Sequence, residues 1–164
     1  MRYQPVGNAF EDMTLSFTAF PAKTAGQGFS SARAQYMDIG IKMDVKNMNG
    51  YALQLIRTTK YSDAIDFILM QYTNGVATAI SEPVSASSYR ANCKITIETK
   101  GNQLIVHAEN ASVYDTKHNN ADVVKVVDLQ AQITPNIFGG FSFQHTGTVG
   151  SGATLIKDLK VEWF

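Results

Sequence analysis

The sequence predicts an all-β domain folded as a two-sheet antiparallel sandwich, and three observations lead there. Apolar residues recur at every second position in segment after segment, the period of a strand that buries one face. Turn-forming residues, among them Asn74-Gly75, Gly101-Asn102 and Gly139-Gly140, separate these segments. No segment carries an apolar stripe at helical spacing over three turns.

In chain order, residues 13–20 form an early strand with Met13, Leu15 and Phe17 on one side. Residues 36–45 alternate most clearly. Met37, Ile39, Ile41, Met43 and Val45 share a face expected to be dry, while Tyr36, Asp38, Gly40, Lys42 and Asp44 share a wet one. Residues 51–61 and 64–73 read as two long strands joined at Ser62-Asp63. Asn74-Gly75, the dipeptide favoured in type I′ hairpins, then leads into residues 76–80 and completes a meander. Residues 93–99 and 104–108 flank Lys100-Gly101-Asn102-Gln103 as a second hairpin. Residues 123–133 alternate again; a short helix within 119–126 is the alternative, and the Val-Val pairs speak for a strand. Pro135-Asn136 ends that strand, and Gly139-Gly140 opens residues 141–146. Residues 154–164 place Leu155, Leu159, Val161 and Trp163 at odd positions, with Lys157 as the exception. About ten short strands with turns between them fit a sandwich or a closed barrel.

A chain of 164 residues and 18.0 kDa suits one domain spanning 1–164, large enough to need no disulfide or metal to hold it. Its 45% hydrophobic and 17% charged residues give a globular profile. Fourteen basic residues balance fourteen acidic ones, and the basic residues are scattered. Nucleic acid and anionic membrane surfaces, which select a basic excess, are therefore not expected partners. Cys93 is the only cysteine and lies in an apolar run, where a buried thiol is expected and no internal disulfide can form. The first residues lack a signal-peptide core and no stretch is long enough to span a bilayer, so no membrane insertion is expected. Those features fit a cytoplasmic protein, or a domain of a longer exported chain, which would be extracytoplasmic. Composition leaves the oligomeric state open.

Phe10-Glu11-Asp12-Met13-Thr14-Leu15-Ser16-Phe17 is similar to the first strand of the concanavalin A-like, laminin G-like jelly-roll superfamily. Gly50-Tyr51-Ala52-Leu53-Gln54-Leu55 followed by Phe67-Ile68-Leu69-Met70 resembles its mid-domain strand pair. Residues 93–108 resemble a hairpin written as strand, Lys-Gly-Asn, strand. Gly139-Gly140-Phe141-Ser142-Phe143 with Ile156-Lys157-Asp158-Leu159-Lys160-Val161 resembles the closing pair. The resemblance implies a curved sandwich whose concave face or rim loops hold glycans. Lectins, glycan-degrading enzymes and their non-catalytic modules share that fold, which does not choose among them.

Glycoside hydrolysis needs two carboxyl groups at a set separation. The superfamily's catalytic members set theirs on one strand as Glu, any residue, Asp, two residues, Glu, and no such arrangement occurs here. Glu98 and His145 are the remaining catalytic candidates; Glu98 has no acidic neighbour two or four residues away. His145 shares a face with Phe141 and Phe143, which also suits a hydrogen-bonded rim histidine. The three histidines, His107, His118 and His145, lie in separate segments without zinc spacing. Gly150-Ser151-Gly152 is not a nucleophile elbow, and the glycines around it lack the Gly-Lys of a phosphate loop.

Sugars are held by aromatic faces and planar polar side chains, and Gln54, Arg57, Gln71, Tyr72, Tyr89 and Arg90 have that character. Gln54 is expected to face solvent, opposite Tyr51, Leu53 and Leu55. Tyrosines are also ordinary strand formers. Glu11, Asp12 and Asp158 supply hard oxygens for a structural calcium where the chain ends approach, although no dense Asp/Asn loop accompanies them. No other cofactor is expected. The reading is a non-catalytic carbohydrate-binding or accessory module of a glycan-degrading system. The alternatives are a glycoside hydrolase or lyase using Glu98 or His145 with Arg57 or Tyr72, and a structural or protein-interaction sandwich.

Overall fold

The computed structural model describes residues 1–6, 9–20, 34–57, 64–87, 92–111, 126–146 and 154–164, which form strands and, among them, no helix. One sheet contains β1 (Arg2–Tyr3), β3 (Tyr36–Asp44), β4 (Asn49–Arg57), β5 (Ala64–Thr73), β6 (Val76–Ala79), β7 (Val84–Ser87) and β11 (Gly140–His145). Its order is β1-β11-β3-β4-β5, with β6 and β7 pairing opposite halves of β5. The other contains β2 (Met13–Phe20), β8 (Asn92–Lys100), β9 (Gln103–Ala111), β10 (Val126–Gln132) and β12 (Leu155–Trp163), in the order β10-β9-β8-β2-β12. Every pairing is antiparallel.

Period-2 alternation builds the core. From the first sheet come Met37, Ile39, Ile41, Leu53, Leu55, Ile65, Phe67, Leu69, Phe141 and Phe143. From the second come Met13, Leu15, Phe17, Cys93, Ile95, Ile97, Leu104, Val106, Val127 and Leu129. All are buried in one cluster, and each large aliphatic or aromatic side chain removed from water contributes about 1.5–3 kcal/mol. Cys93 is fully buried among them, and burial pushes its thiol up to about 12, so it stays protonated. Turn chemistry also matches expectation: Asn74 and Gly75 have φ of 49° and 80°, as a type I′ turn requires at both central positions. The turn expected at Ser62-Asp63 lies outside the described residues.

Two β-bulges reverse the alternation and correct the expected faces. The first lies in β3, where register with β4 shifts between Ile41 and Asp44 and Lys42 has φ of 50°. Beyond it the wet face becomes the dry one. Lys42, expected in solvent, is 2% exposed, and its ammonium donates to the carbonyl oxygen of Phe10. Burial lowers the pKa of Lys42, while Asp12 and Glu11 partly restore it. Met43, expected in the core, instead joins Met48, Ala52, Met70 and Tyr72 in a second apolar cluster. That cluster covers the outer face of the larger sheet.

The second bulge lies in β12, whose register with β2 shifts between Lys157 and Lys160, with Asp158 at φ of 54°. Ile156, Val161 and Trp163 pack on the core, whereas Leu155 and Leu159 are 37% and 38% exposed. Lys157 was therefore the visible trace of a break in phase. The strand's end is tied down at Trp163, whose Nε1 donates to the Gly139 carbonyl at 2.8 Å. Phe164 exchanges backbone hydrogen bonds with Asp12, and its carbonyl also accepts from Glu11.

The bulge in β3 brings main chain against main chain, and Gly140 makes that approach possible. A Cβ there would stand 2.2 Å from the Met43 carbonyl oxygen and 3.0 Å from that of Tyr3. Gly140→Ala is expected to destabilise the fold by about 1–3 kcal/mol, because neither backbone oxygen can swing away. Urea unfolding should report a lower midpoint with an unchanged slope; an unchanged midpoint would contradict this packing.

Candidate ligand-binding cleft

The chain crosses from the smaller sheet to the larger one between β10 and β11. Pro135 cannot extend β10, and Tyr51 captures the crossing. The phenol of Tyr51 donates to the Thr134 carbonyl at 2.8 Å and accepts from the Thr134 N–H at 3.0 Å. Two residues on, Asn136 Nδ2 donates to the Lys42 carbonyl at 3.2 Å, while its Oδ1 accepts from the Phe138 N–H at 3.0 Å. The crossing is thus held against the larger sheet at its bulge.

Between this crossing and the ends of β4 and β5 lies a cleft of about 200 Å³. It is lined by Asn49, Gly50 and Tyr51 of β4, Gln71, Tyr72 and Thr73 of β5, and Thr134, Pro135, Asn136 and Phe138 of the crossing. No lining residue is an acid or a base of the Asp, Glu, Lys, Arg or His type. Asn49 is locked to the neighbouring turn: its Oδ1 accepts from the Asn74 N–H at 2.7 Å, and its Nδ2 lies 3.5 Å from Asn74 Oδ1. Gln71 stands opposite Tyr51 and is exposed.

Strand alternation separates Gln71 from Tyr72, although both border the cleft. The Tyr72 phenol turns to the outer face of the larger sheet and donates to Asp38 Oδ2. Gln54 Nε2 donates to Asp38 Oδ1 at 2.9 Å. Gln54 does lie on the face opposite the core, but it is buried, because Asp38 and Tyr72 fill that face. Asp38 is 1% exposed, and burial raises its pKa above the usual carboxylate range, against the pull of the two hydrogen bonds. Burial and the Asp38 carboxylate together raise the Tyr72 phenol, which stays protonated. Beside them, Arg2 donates to Gln144 Oε1 at 3.0 Å, and Gln144 pairs across from Asp38.

The other candidates are dispersed. Arg57 ends β4, so roughly eight residue steps of 3.3 Å, about 26 Å, separate it from Asn49. Tyr89 and Arg90 lie outside the described residues. Glu98 belongs to β8 in the smaller sheet, whereas His145 is exposed at the end of β11 in the larger, opposite Met37. Glu11 and Asp12 sit beside Phe164, while Asp158 is at the β12 bulge, near the pairing of Lys157 with Thr18. The five steps from Asp158 to Trp163, at roughly 3.3 Å each, put about 16 Å of strand between Asp158 and the end of β12 where Glu11 and Asp12 lie. His107 touches Asp128 at 2.6 Å and Glu109 at 3.5 Å on an exposed face, and the two carboxylates raise its pKa. Among the described residues no three His, Cys, Asp or Glu side chains converge as a metal site. Sequence reasoning missed Asn49, Asn136 and Phe138, whose proximity depends on how the crossing is docked.

Asp38 gives the outer face a pH dependence. Its folded pKa is raised, so the native state holds the proton more tightly than the unfolded chain. Stability from this group is therefore greatest in acid and declines as pH rises from about 3.9 through the folded pKa. Asp38→Asn should remove that decline: the difference in Tm between variant and parent should grow in the variant's favour across this window and then level off. A difference that stays constant with pH would show that Asp38 titrates normally.

No protein-family model matches the chain, and no curated protein matches its sequence. Solved structures do match in fold. The carbohydrate-binding module CBM66 from Bacillus subtilis aligns with a TM-score of 0.58 at 13% identity, over 98% of this chain and 80% of that one. The CBM2 module of an evolved Dit from Lactobacillus casei BL23 phage J-1 gives 0.53 at 12% identity, over 93% and 60%. A xylan β-1,4-xylosidase from Bacillus halodurans C-125 gives 0.52 at 8% identity, over 93% of this chain but 27% of the enzyme. At such identities the likeness is one of architecture: the chain is an all-β, two-sheet antiparallel sandwich of the kind these proteins contain.

Proposed function

We propose that this chain is a non-catalytic carbohydrate-binding module whose ligand lies in the cleft between the ends of β4 and β5 and the β10–β11 crossing. The observation that carries this reading is the cleft's chemistry: amide, hydroxyl and aromatic groups without a charged side chain. Amides and hydroxyls match sugar hydroxyls as donors and acceptors, and the Phe138 ring offers an apolar surface to sugar C–H groups. At about 200 Å³ the cleft is smaller than drug-sized sites and suits a single sugar ring or chain end. The lining includes no carboxyl pair, so it supplies neither the acid nor the base of glycoside hydrolysis.

Within the sandwich class we assign the chain to the concanavalin A-like, laminin G-like jelly rolls, as an accessory to a glycan-degrading system. The strand segments that resemble that superfamily support this assignment. So does the match to a minor part of a xylosidase, which fits a module carried beside an enzyme.

Thermal-shift and calorimetric screening against neutral and acidic oligosaccharides tests the reading. At least one neutral glycan should raise Tm, since a ligand at about 100 times its Kd stabilises the native state by about 2.7 kcal/mol. Acidic glycans should not, and no product should be released. The ligand-induced shift should vanish in Phe138→Ala, whatever that change does to the unliganded Tm. Absence of any shift with neutral glycans, or an undiminished shift in the variant, would refute the cleft as a sugar site.

A further inference from the structure

Most polar side chains of the cleft are already committed to the protein. The Tyr51 phenol uses both its donor and an acceptor on Thr134. Asn136 spends its amide on the Lys42 carbonyl and its oxygen on the Phe138 N–H. Asn49 directs its oxygen to the Asn74 N–H, with its nitrogen alongside the Asn74 side chain. These groups fix the walls, and their orientation is set before any ligand arrives.

Gln71 is different. It is exposed, lines the cleft, and makes no side-chain hydrogen bond among the described residues. It is also well placed, because its main chain is held on both sides: Gln71 pairs with Tyr51 of β4 and with Thr78 of β6. A carboxamide on a strand paired on both sides offers, along one edge, an acceptor and a donor side by side and coplanar. A matching ligand must present a donor and an acceptor at the same spacing. Two hydroxyls on adjacent carbons in gauche arrangement do so. A lone hydroxyl satisfies half of the amide, a carboxylate has no proton for its oxygen, and an antiperiplanar diol points its oxygens apart.

We propose that Gln71 is the specificity-determining residue of the cleft, reading a gauche vicinal diol of an uncharged sugar, and that Asn49, Tyr51 and Asn136 are positioning residues that do not read the ligand. This inference rests on the carbohydrate reading given above. Two neutral hydrogen bonds set the scale of discrimination at roughly 5- to 150-fold, about 2- to 12-fold for each.

The test titrates the ¹⁵N-labelled protein with methyl glycosides of glucose, galactose, mannose, xylose and fructose and with their monodeoxy analogues, followed by NMR. The side-chain amide resonances of Gln71 should move with at least one parent glycoside. Removing either hydroxyl of one adjacent pair should weaken that glycoside roughly 2- to 12-fold, and removing the others should not. In Gln71→Leu, which is exposed and whose fold the amide spectrum verifies, parent and deoxy sugars should bind equally weakly. If a glycoside binds and its deoxy discrimination survives in Gln71→Leu, Gln71 is not the reader, and the carbohydrate reading stands. If no glycoside moves any cleft resonance, both the inference and the reading fall.

Discussion

The two hydrogen bonds through the Tyr51 phenol fix where this chain passes from one sheet to the other, and the cleft depends on that junction. Tyr51 sits on the core side of β4, so its ring is packed before its hydroxyl is used. A phenol that donates to a carbonyl and accepts from the N–H of the same residue leaves that residue little freedom. The crossing that follows then needs only one further tie, Asn136 on the Lys42 carbonyl, to become a wall. That carbonyl is available because Lys42 lies in the bulge, where the strand's regular pairing with β4 is interrupted.

The bulge therefore has three consequences from one backbone irregularity. It frees a carbonyl for the crossing, turns Met43 outward, and sends the Lys42 ammonium across to Phe10, which precedes the first strand of the opposite sheet. Each group would be misplaced without it: an amphipathic lysine on the outer face, a methionine in the core, and an asparagine without its acceptor. The outward methionine helps to close the apolar cluster around Tyr72, whose phenol reaches Asp38. A carboxylate buried this deeply is tolerable because both of its oxygens receive hydrogen bonds.

Strand identity was legible in the sequence because burial repeats every second residue, and the turn at Asn74-Gly75 was legible because few other pairs accept positive φ twice. The phase of a strand was legible only up to its first bulge. Lys42 and Asp158 adopt positive φ without being glycine, so composition carries no mark of where alternation reverses. Lys157 at a nominally apolar position was a hint for β12, while β3 gave none, since Met43 suits either face. The site was legible in part. Gln71 and Tyr72 have the right chemical character, but alternation sends their side chains to opposite faces. Asn49 and Asn136 are far apart in sequence and meet only through the topology.

The sandwich also limits where a ligand can be received. The inner faces are spent on the core, and the centre of the larger sheet's outer face is filled by Asp38, Gln54, Tyr72 and the methionine cluster. Among the described residues, polar groups line a concavity where the two sheets part, at the crossing. There the strand ends stop covering one another and the core pattern can lapse without exposing the interior. Gln71 occupies the inward phase of β5 two residues beyond the buried Leu69, a position that burial would forbid one turn of the pleat earlier. An unpaired amide there costs nothing while water reaches it, and it can exchange that water for a ligand hydroxyl.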